Sequence, residues 1–183
     1  CQKLKDYITN VNNNTLDFST WKANAMTVDL NVNFDALWGE GSQNVFCPSP
    51  ENFVGFYPNS EREVRELIDF TYRVQPNLTL SFHTKGEVIY YGFETLSSTQ
   101  LERDRNIANY ISTINGYTPT KTEYSVGGYS DWVSEYLGVP AFTIEIAPVS
   151  APTPVPTQYV PEAFEKYKDL PSKLLDYLNE NSI

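Results

Sequence analysis

The sequence predicts an α/β protein, because segments with strand character alternate with segments of helical periodicity along most of the chain. The clearest helix signal covers Ser98–Asn115, where apolar residues recur at helical spacing and Gly116 provides the stop. The clearest strand signal is residues 140–146, whose apolar side chains on both faces indicate a buried strand. With 183 residues and 40% apolar content, the chain can build one sizeable core. We therefore predict one domain over residues 1–183.

The first part of the chain carries weaker signals. The first twenty residues are polar and predict a loop or a frayed helix end. Residues 27–34 alternate apolar and polar side chains, which is typical of a half-buried strand. Residues 38–58 are rich in Gly, Pro, Asn and Ser, and loops of that length are usually functional. A capping box at residues 60–63 predicts a helix that stops at Pro76.

The rest of the chain shows a regular alternation of strand and helix signals. The predicted elements are strands at residues 78–83 and 88–91, the helix at 98–115, a short helix at 130–137 that ends at Gly138, the strand at 140–146, and an amphipathic helix at about 161–178. Residues 147–161 carry five prolines, so this segment must be extended or loop-like.

Charge and composition argue against several classes of partner. A formal net charge of -10 disfavours both nucleic-acid binding and adsorption to anionic membranes, which need a cationic surface. No run is long enough for a transmembrane segment. The two cysteines, Cys1 and Cys47, make no disulfide framework, so the sequence leaves the cellular compartment open. Small peptides or sugars are the partners that this composition favours.

Two residues near predicted strand ends could carry chemistry. His83 is the only histidine, and therefore the only neutral nitrogen ligand for a metal at physiological pH. It is also compatible with a strand-end histidine whose hydrogen bonds the protein satisfies. Glu145 is either an exposed carboxylate at a strand end or a general base whose pKa is set by its pocket. The residue types alone leave these alternatives open.

Five segments occur together in an order that carries a family resemblance. In chain order they are residues 28–34, the capped helix from Ser60, residues 80–83, residues 127–132 and residues 142–146. This pattern resembles the zinc carboxypeptidase family of the carboxypeptidase A type. Within that family it resembles the bacterial branch that acts on γ-D-glutamyl-diaminopimelate bonds of peptidoglycan peptides. The resemblance implies a mixed parallel/antiparallel sheet flanked by helices.

The resemblance also implies a catalytic centre. His83 matches a zinc ligand of the family, and Glu145 matches its catalytic glutamate. Zinc with three protein ligands leaves a place for water and lowers the pKa of that water to roughly 7. A glutamate beside the water would take its proton and pass it to the leaving amine.

Substrate-binding roles follow from the same resemblance. Asn31 and Asn33 match the first and last residues of the family's Asn-Arg-Asn motif, which binds the substrate carboxylate. Tyr129 and Ser130 would line the pocket for the released residue, and Tyr124 would cover the substrate.

Two charged residues next to His83 are further candidates for substrate contact. Lys85 and Glu87 would contact a zwitterionic side chain such as that of diaminopimelate. The alternative is that both are solvated charges of a turn.

This sequence departs from the family pattern in two ways. The His-x-x-Glu motif that supplies the other two zinc ligands is absent, so the predicted Zn²⁺ site is incomplete in this chain. Val32 replaces the arginine of the Asn-Arg-Asn motif. Because the chain begins at Cys1, we expect it to be the C-terminal portion of an enzyme whose missing N-terminal segment supplies the remaining ligands. The isolated chain is expected to bind zinc weakly or not at all, and to be inactive.

The sequence therefore supports two main functional hypotheses, and a third and weaker one is an interaction domain whose Pro-rich residues 151–156 dock into a partner's aromatic groove. The first is a zinc metallocarboxypeptidase-like peptidase that hydrolyses an amide bond near a peptide's carboxyl end, with γ-D-glutamyl-diaminopimelate in cell-wall peptides as a candidate bond. The alternative is a non-catalytic module, derived from that fold, that binds a peptide or muropeptide.

Overall fold

The computed structural model describes residues 2–123 and 125–181, which divide into two compact units. Unit 1 comprises Cys1–Thr79 and Glu123–Val139, and unit 2 comprises Leu80–Thr122 and Pro140–Ile183. Each unit combines two separate stretches of the chain, so neither is a continuous segment. The single domain over residues 1–183 stays a prediction.

The helices and strands of each unit are as follows. Unit 1 contains α1 (Gln2–Val11), a 3₁₀ turn (Leu30–Val32), α2 (Arg62–Val74) and α4 (Tyr129–Trp132), which continues into a π-helical turn (Val133–Leu137). Unit 2 contains β1 (Thr79–Thr84, all but its first residue), β2 (Val88–Tyr91), α3 (Ser98–Asn115), β3 (Thr118–Lys121), β4 (Ala141–Ile146), a 3₁₀ turn (Thr157–Tyr159), α5 (Val160–Tyr167) and α6 (Leu170–Asn181). None of the described helices is long and apolar enough to cross a membrane.

The four strands form one sheet in the order β1-β4-β2-β3. Strand β2 runs antiparallel to β4 and parallel to β3, so the sheet is mixed. Helix α3 packs against β2 and β3, and both α5 and α6 contact α3. The predicted α/β class, with a mixed sheet flanked by helices, is confirmed.

The sheet and α3 share the core of unit 2. Its fully buried side chains include Ile89 from β2, Phe142 and Ile144 from β4, and Ile107 and Ile111 from α3. Burying each such side chain contributes about 1.5–3 kcal/mol relative to leaving it exposed. The buried side chains of Phe142 and Ile144 therefore anchor β4 in this core, directly before Glu145 and Ile146, the last two residues of the strand.

The predicted strand over residues 27–34 is wrong, because this segment forms the 3₁₀ turn at Leu30–Val32. Asp29 caps the turn: its Oδ1 accepts from the Asn31 N–H at 3.1 Å, and its Oδ2 accepts from the Asn52 N–H at 2.9 Å. Asp and Asn side chains that bond to nearby backbone groups offer the chain an alternative to a sheet ladder. The apolar–polar alternation here reflects the two sides of an ordered loop.

Helix α2 begins at Arg62, but the capping box predicted at residues 60–63 does not form. The N-cap residue is Glu61, which makes no side-chain capping bond. The Ser60 hydroxyl instead accepts from Asn33 Nδ2 at 2.9 Å and donates to Glu61 Oε1 at 2.8 Å. The Ser60 hydroxyl is thus bonded to Asn33, 27 positions earlier, and not to the backbone of the helix that it was predicted to cap.

Three further elements differ from the prediction. The polar first residues form helix α1, whose Tyr7 hydroxyl is hydrogen-bonded to Thr27 Oγ1 at 3.1 Å. Strand β3 was not predicted; its Pro119 is tolerated because β3 lies at the sheet edge. The single helix predicted at residues 161–178 is two helices, α5 and α6. The second has Pro171 in its first turn, where proline costs no hydrogen bond.

Candidate active site

Glu145 is the next-to-last residue of β4 and is half-buried. Its neighbour Ile144 is fully buried, and Glu145 pairs in antiparallel register with Val88, the first residue of β2. The backbone that carries this carboxylate is therefore fixed by the core on one side and by a sheet partner on the other. Such a position is typical of side chains that must be held precisely for function.

His83 is the next-to-last residue of β1, which is hydrogen-bonded to β4, and it is half-buried. The turn after it returns to β4: the Gly86 N–H donates to the Ala147 carbonyl at 2.9 Å. A Cβ on Gly86 would lie 3.6 Å from the Cβ of Glu145. Gly86 lies three positions after His83, so their Cα atoms are within roughly 11 Å of each other. The structure thus places both predicted catalytic-centre residues beside one turn of unit 2.

The two charged residues of that turn are already engaged within unit 2. The Lys85 ammonium donates a hydrogen bond to the Ala151 carbonyl. Glu87 is ion-paired with Lys166 at 3.5 Å, and Lys166 also pairs with Glu162 at 3.0 Å. Substrate contact by Lys85 or Glu87 stays a prediction, and it would have to compete with these partners.

The two asparagines predicted to bind substrate have different surroundings in unit 1. Asn31 is exposed, whereas Asn33 is fully buried. Asn33 Nδ2 donates to the Val54 carbonyl at 2.8 Å and to Ser60 Oγ at 2.9 Å. Its Oδ1 accepts from the Glu61 N–H at 3.1 Å. Both ends of the Asn33 amide are therefore hydrogen-bonded inside unit 1, and only Asn31 is open to solvent.

The loop at Gly127 and Gly128 packs directly against the Asn31 turn. The Phe34 N–H donates to the Gly127 carbonyl at 2.9 Å. Gly127 has a φ of +83°, and a Cβ there would lie 2.9 Å from the Val32 carbonyl oxygen. A Cβ on Gly128 would lie 3.4 Å from the Asn31 carbonyl oxygen and 3.6 Å from Asn31 Oδ1. Two segments predicted to bind substrate from distant parts of the sequence are thus brought together.

Tyr129 and Ser130 start α4 and are half-buried. The hydroxyls of Tyr129 and Thr71 are hydrogen-bonded at 2.9 Å, and the Tyr129 ring meets Phe34 edge to face with centroids 5.7 Å apart. Tyr124 lies outside the described residues. The roles of these side chains in lining or covering a substrate pocket stay predictions.

Asp131 adjoins the predicted site but was not predicted to belong to it. It is 9% exposed, and its Oδ2 accepts a hydrogen bond from the Gly128 N–H at 2.9 Å. Burial raises the pKa of Asp131 to about 7, the Gly128 hydrogen bond opposes that rise, and the nearby Glu135 carboxylate adds to it. The only signal in the sequence was an acidic residue in the first turn of a short helix, which is typical of ordinary helix starts.

Zinc in a catalytic site takes three protein ligands and keeps one open position. His83 is the only histidine of the chain. Residues 2–123 and 125–181 contain no group of three or more His, Cys, Asp or Glu side chains placed to hold a metal ion. The side chains that the structure describes therefore do not fit a zinc ion by themselves. Zn²⁺ stays a cofactor that the sequence pattern implies.

Replacing Gly127 by alanine should lower the free energy of unfolding by roughly 2–4 kcal/mol, because the new methyl group meets a left-handed backbone and the Val32 carbonyl. Gly116→Ala is the matched control, since Gly116 has a φ of +77° and nothing within 4 Å of its Cβ position. The control should lose only roughly 1–2 kcal/mol. Urea unfolding of both variants measures the difference, and equal losses would show that the contact with Val32 is unimportant.

The chain is similar to known proteins over most of its length. The sequence profile described as zinc carboxypeptidase matches residues 6–168. Gamma-D-glutamyl-L-diamino acid endopeptidase 1 from Lysinibacillus sphaericus is 34% identical over 155 residues, which cover 84% of this chain and 38% of that protein. The chain spans about two-fifths of the length of the curated relatives that it matches, at 38% and 40%.

Solved structures share the fold. Bovine thrombin-activatable fibrinolysis inhibitor, in complex with tick carboxypeptidase inhibitor, aligns with a TM-score of 0.72 and 21% identity over 84% of this chain and 57% of that one. Murein-tripeptide amidase MpaA from Escherichia coli O157 aligns with a TM-score of 0.53 and 28% identity over 84% of this chain and 59% of that one. Because the family profile covers residues 6–168, the chain belongs to the zinc carboxypeptidase family.

Proposed function

We propose that this chain carries part of the active site of a hydrolase that cleaves an amide bond near the carboxyl end of a peptide. The observation that carries the proposal is the position of Glu145 beside the turn that follows His83 in unit 2. Membership of the zinc carboxypeptidase family and likeness to an endopeptidase and an amidase support a hydrolytic reaction.

Glu145 is the general base in this proposal. Its carboxylate takes a proton from the water that attacks the peptide carbonyl; a C–O bond forms, the C–N bond breaks, and the proton passes to the leaving amine nitrogen. A base in this role needs a fixed position, which pairing with Val88 and burial of Ile144 give to the backbone of Glu145. His83 is the proposed zinc ligand, and the ligands that would complete its site are not among the described residues.

Asn31 is the proposed contact for the substrate's terminal carboxylate, because its amide is exposed beside the Gly128 loop. Asn33 instead holds the turn in place, since both ends of its amide are bonded within unit 1. Val32 cannot form the paired charge-assisted hydrogen bonds of a guanidinium. Charge recognition of the carboxylate would then fall to a cation other than a guanidinium at position 32.

The proposed substrate is a cell-wall peptide that contains a γ-D-glutamyl-diaminopimelate bond. One relative is named as a γ-D-glutamyl-L-diamino acid endopeptidase, and one similar structure as a murein-tripeptide amidase. Diaminopimelate carries an amine and a carboxylate on its side chain, and the turn after His83 carries one charge of each sign, on Lys85 and Glu87.

The test is hydrolysis of L-Ala-γ-D-Glu-diaminopimelate by the complete product of the gene, with release of diaminopimelate followed by liquid chromatography and mass spectrometry. A peptide with an α-linked L-Glu at the same position is the control. We expect cleavage of the γ-linked bond and little cleavage of the control. Preference for the control would reject the proposed substrate, and an absence of cleavage in both would reject the reaction.

A second candidate function is a non-catalytic module that binds peptides or muropeptides. Val32 at the position of the family's arginine favours it, as does a chain with a single imidazole. Calorimetric titration of the 183-residue chain with the same tripeptide in the presence of a chelator distinguishes the two. Binding that survives chelation, combined with no hydrolysis by the complete product, would favour the module.

A further inference from the structure

We infer that Asp131 is a positioning residue, which sets the place of the substrate-binding Asn31 through the Gly127–Gly128 loop without touching the substrate. The inference rests on the proposed function of Asn31 as a substrate contact. All the residues involved belong to unit 1.

The carboxylate of Asp131 is held on a rigid base. The next two residues, Trp132 and Val133, are buried, and the Trp132 ring meets Tyr72 edge to face with centroids 5.5 Å apart. The side chain of Asp131 is itself 9% exposed and accepts from the Gly128 N–H at 2.9 Å. Glycine has more backbone freedom than other residues. The hydrogen bond therefore fixes the Gly127–Gly128 loop to the packed short helix α4.

The loop in turn lies against the Asn31 turn at two places. The Gly127 carbonyl accepts from the Phe34 N–H at 2.9 Å. Gly128 lies beside both oxygens of Asn31, since its Cβ position is 3.4 Å from the carbonyl and 3.6 Å from Oδ1. A shift of the loop towards Asn31 would therefore displace the side-chain amide that is proposed to bind substrate.

The other contacts of the turn fix its backbone. The Asn31 N–H is bonded to Asp29 Oδ1, and the Asn33 amide is bonded to Val54 and Glu61. With the backbone fixed on that side, the loop is the neighbour that determines how much room the Asn31 side chain has. The hydrogen bond from the Gly128 N–H to the Asp131 carboxylate fixes the position of this loop.

A carboxylate at this place carries a cost that an amide would not. Burial raises the pKa of Asp131 to about 7, and Glu135 is the charged group that adds to this rise. A pKa above the ordinary value of 3.8 means that the folded state holds more protons than the unfolded state between about pH 4 and 7. The contribution of Asp131 to stability therefore falls as pH rises through this range. An anion, however, accepts a stronger hydrogen bond from an N–H group than a neutral acceptor does. A residue that lowers stability at neutral pH is more readily explained by a role in the site.

The test uses Asp131→Ala and Asp131→Asn in the 183-residue chain, with Asp69→Ala, an exposed position of α2, as the control. Proton–nitrogen spectra report the backbone amide of Gly128 and the side-chain amide of Asn31. Calorimetry with L-Ala-γ-D-Glu-diaminopimelate in a chelator reports binding. In Asp131→Ala we expect both resonances to move and the tripeptide to bind about tenfold more weakly, which is the loss of one hydrogen bond of ordinary strength. Asp131→Asn keeps an acceptor oxygen and should restore most of the affinity, with a Gly128 resonance that no longer titrates near neutral pH.

Two results would overturn the inference. One is a Gly128 resonance that moves in Asp131→Ala while the Asn31 amide resonance and tripeptide affinity stay at wild-type values, which would make Asp131 only a helix cap. The other is that Asp69→Ala shifts the Asn31 amide resonance and weakens tripeptide binding as much as Asp131→Ala does. If the wild-type chain binds no tripeptide, the proposed substrate role fails, and the Asn31 resonance still decides whether Asp131 positions this side chain.

Discussion

Replacing Glu145 by glutamine will lower kcat for hydrolysis of the γ-D-glutamyl-diaminopimelate bond by about 10²–10⁴-fold in the complete gene product. Glutamine has the shape of glutamate and keeps a hydrogen-bond acceptor, but it cannot take a proton from water. KM should change little, because glutamine leaves the proposed substrate contacts at Asn31, Lys85 and Glu87 unchanged. Steady-state rates from diaminopimelate release, together with thermal unfolding of the variant, measure this effect apart from any loss of folding.

Glu94→Gln is the matched control, because Glu94 is an exposed glutamate of the same unit. Its rate should stay within about twofold of wild type, as for surface substitutions that alter no buried contact. Substantial activity in a folded Glu145→Gln variant would reject the general-base role. A comparable loss in Glu94→Gln would point to a general effect of charge on the enzyme.

Phe142→Ala will lower the free energy of unfolding by about 3–5 kcal/mol, the range for truncation of a fully buried aromatic side chain. The Phe142 ring is fully buried in β4, on the same face of the strand as the fully buried Ile144, and Phe142 pairs with Tyr91 of β2. Truncation removes the apolar contact area of the ring and leaves a cavity that rigid neighbours only partly close. Urea unfolding followed by circular dichroism measures the change.

Phe164→Ala is the same substitution at a 62% exposed position of α5 in the same unit. It should change the free energy of unfolding by no more than about 0.5 kcal/mol. A loss below about 1 kcal/mol for Phe142→Ala would contradict the packing of β4 described above. Similar losses for both phenylalanines would mean that Phe164 is covered by something outside the described residues.

Elements whose local signals agree with their surroundings could be predicted from the sequence. Helix α3 matches its predicted bounds, because Ser97 and Gln100 form a capping box at its start and Gly116 adopts the left-handed conformation at its end. Strand β2 also has its predicted bounds, and β4 starts one residue later than predicted. In these cases periodicity, caps and burial all favour one structure.

The site could be predicted only in part, because the roles of its residues depend on contacts between distant stretches. Asn33 and Asn31 are two residues apart in the same motif, yet one is enclosed by residues 21 to 28 positions later and the other is exposed. The burial of Asp131, which shifts its pKa, has no local signature at all. The strand predicted over residues 27–34 failed for a related reason, since Asp29 bonds across to Asn52. Periodicity contains no information about such partners.

The Asn33 amide has a consequence for how this protein can vary. Its hydrogen bonds connect the start of the long loop to Val54, 21 residues later, and to Ser60 and Glu61, which directly precede α2. The loop is also held by the bond from the Asn52 N–H to Asp29 and by the backbone bridge between Val45 and Phe53. Between such anchors, each doubling of a loop's length costs only about 0.6 kcal/mol of closure entropy. Evolution can therefore lengthen, shorten or rewrite the stretches between the anchors while Asn31, beside the anchored end, keeps its place. Diversity among relatives is expected to collect in this loop, as a means of changing what is recognised without disturbing how it is held.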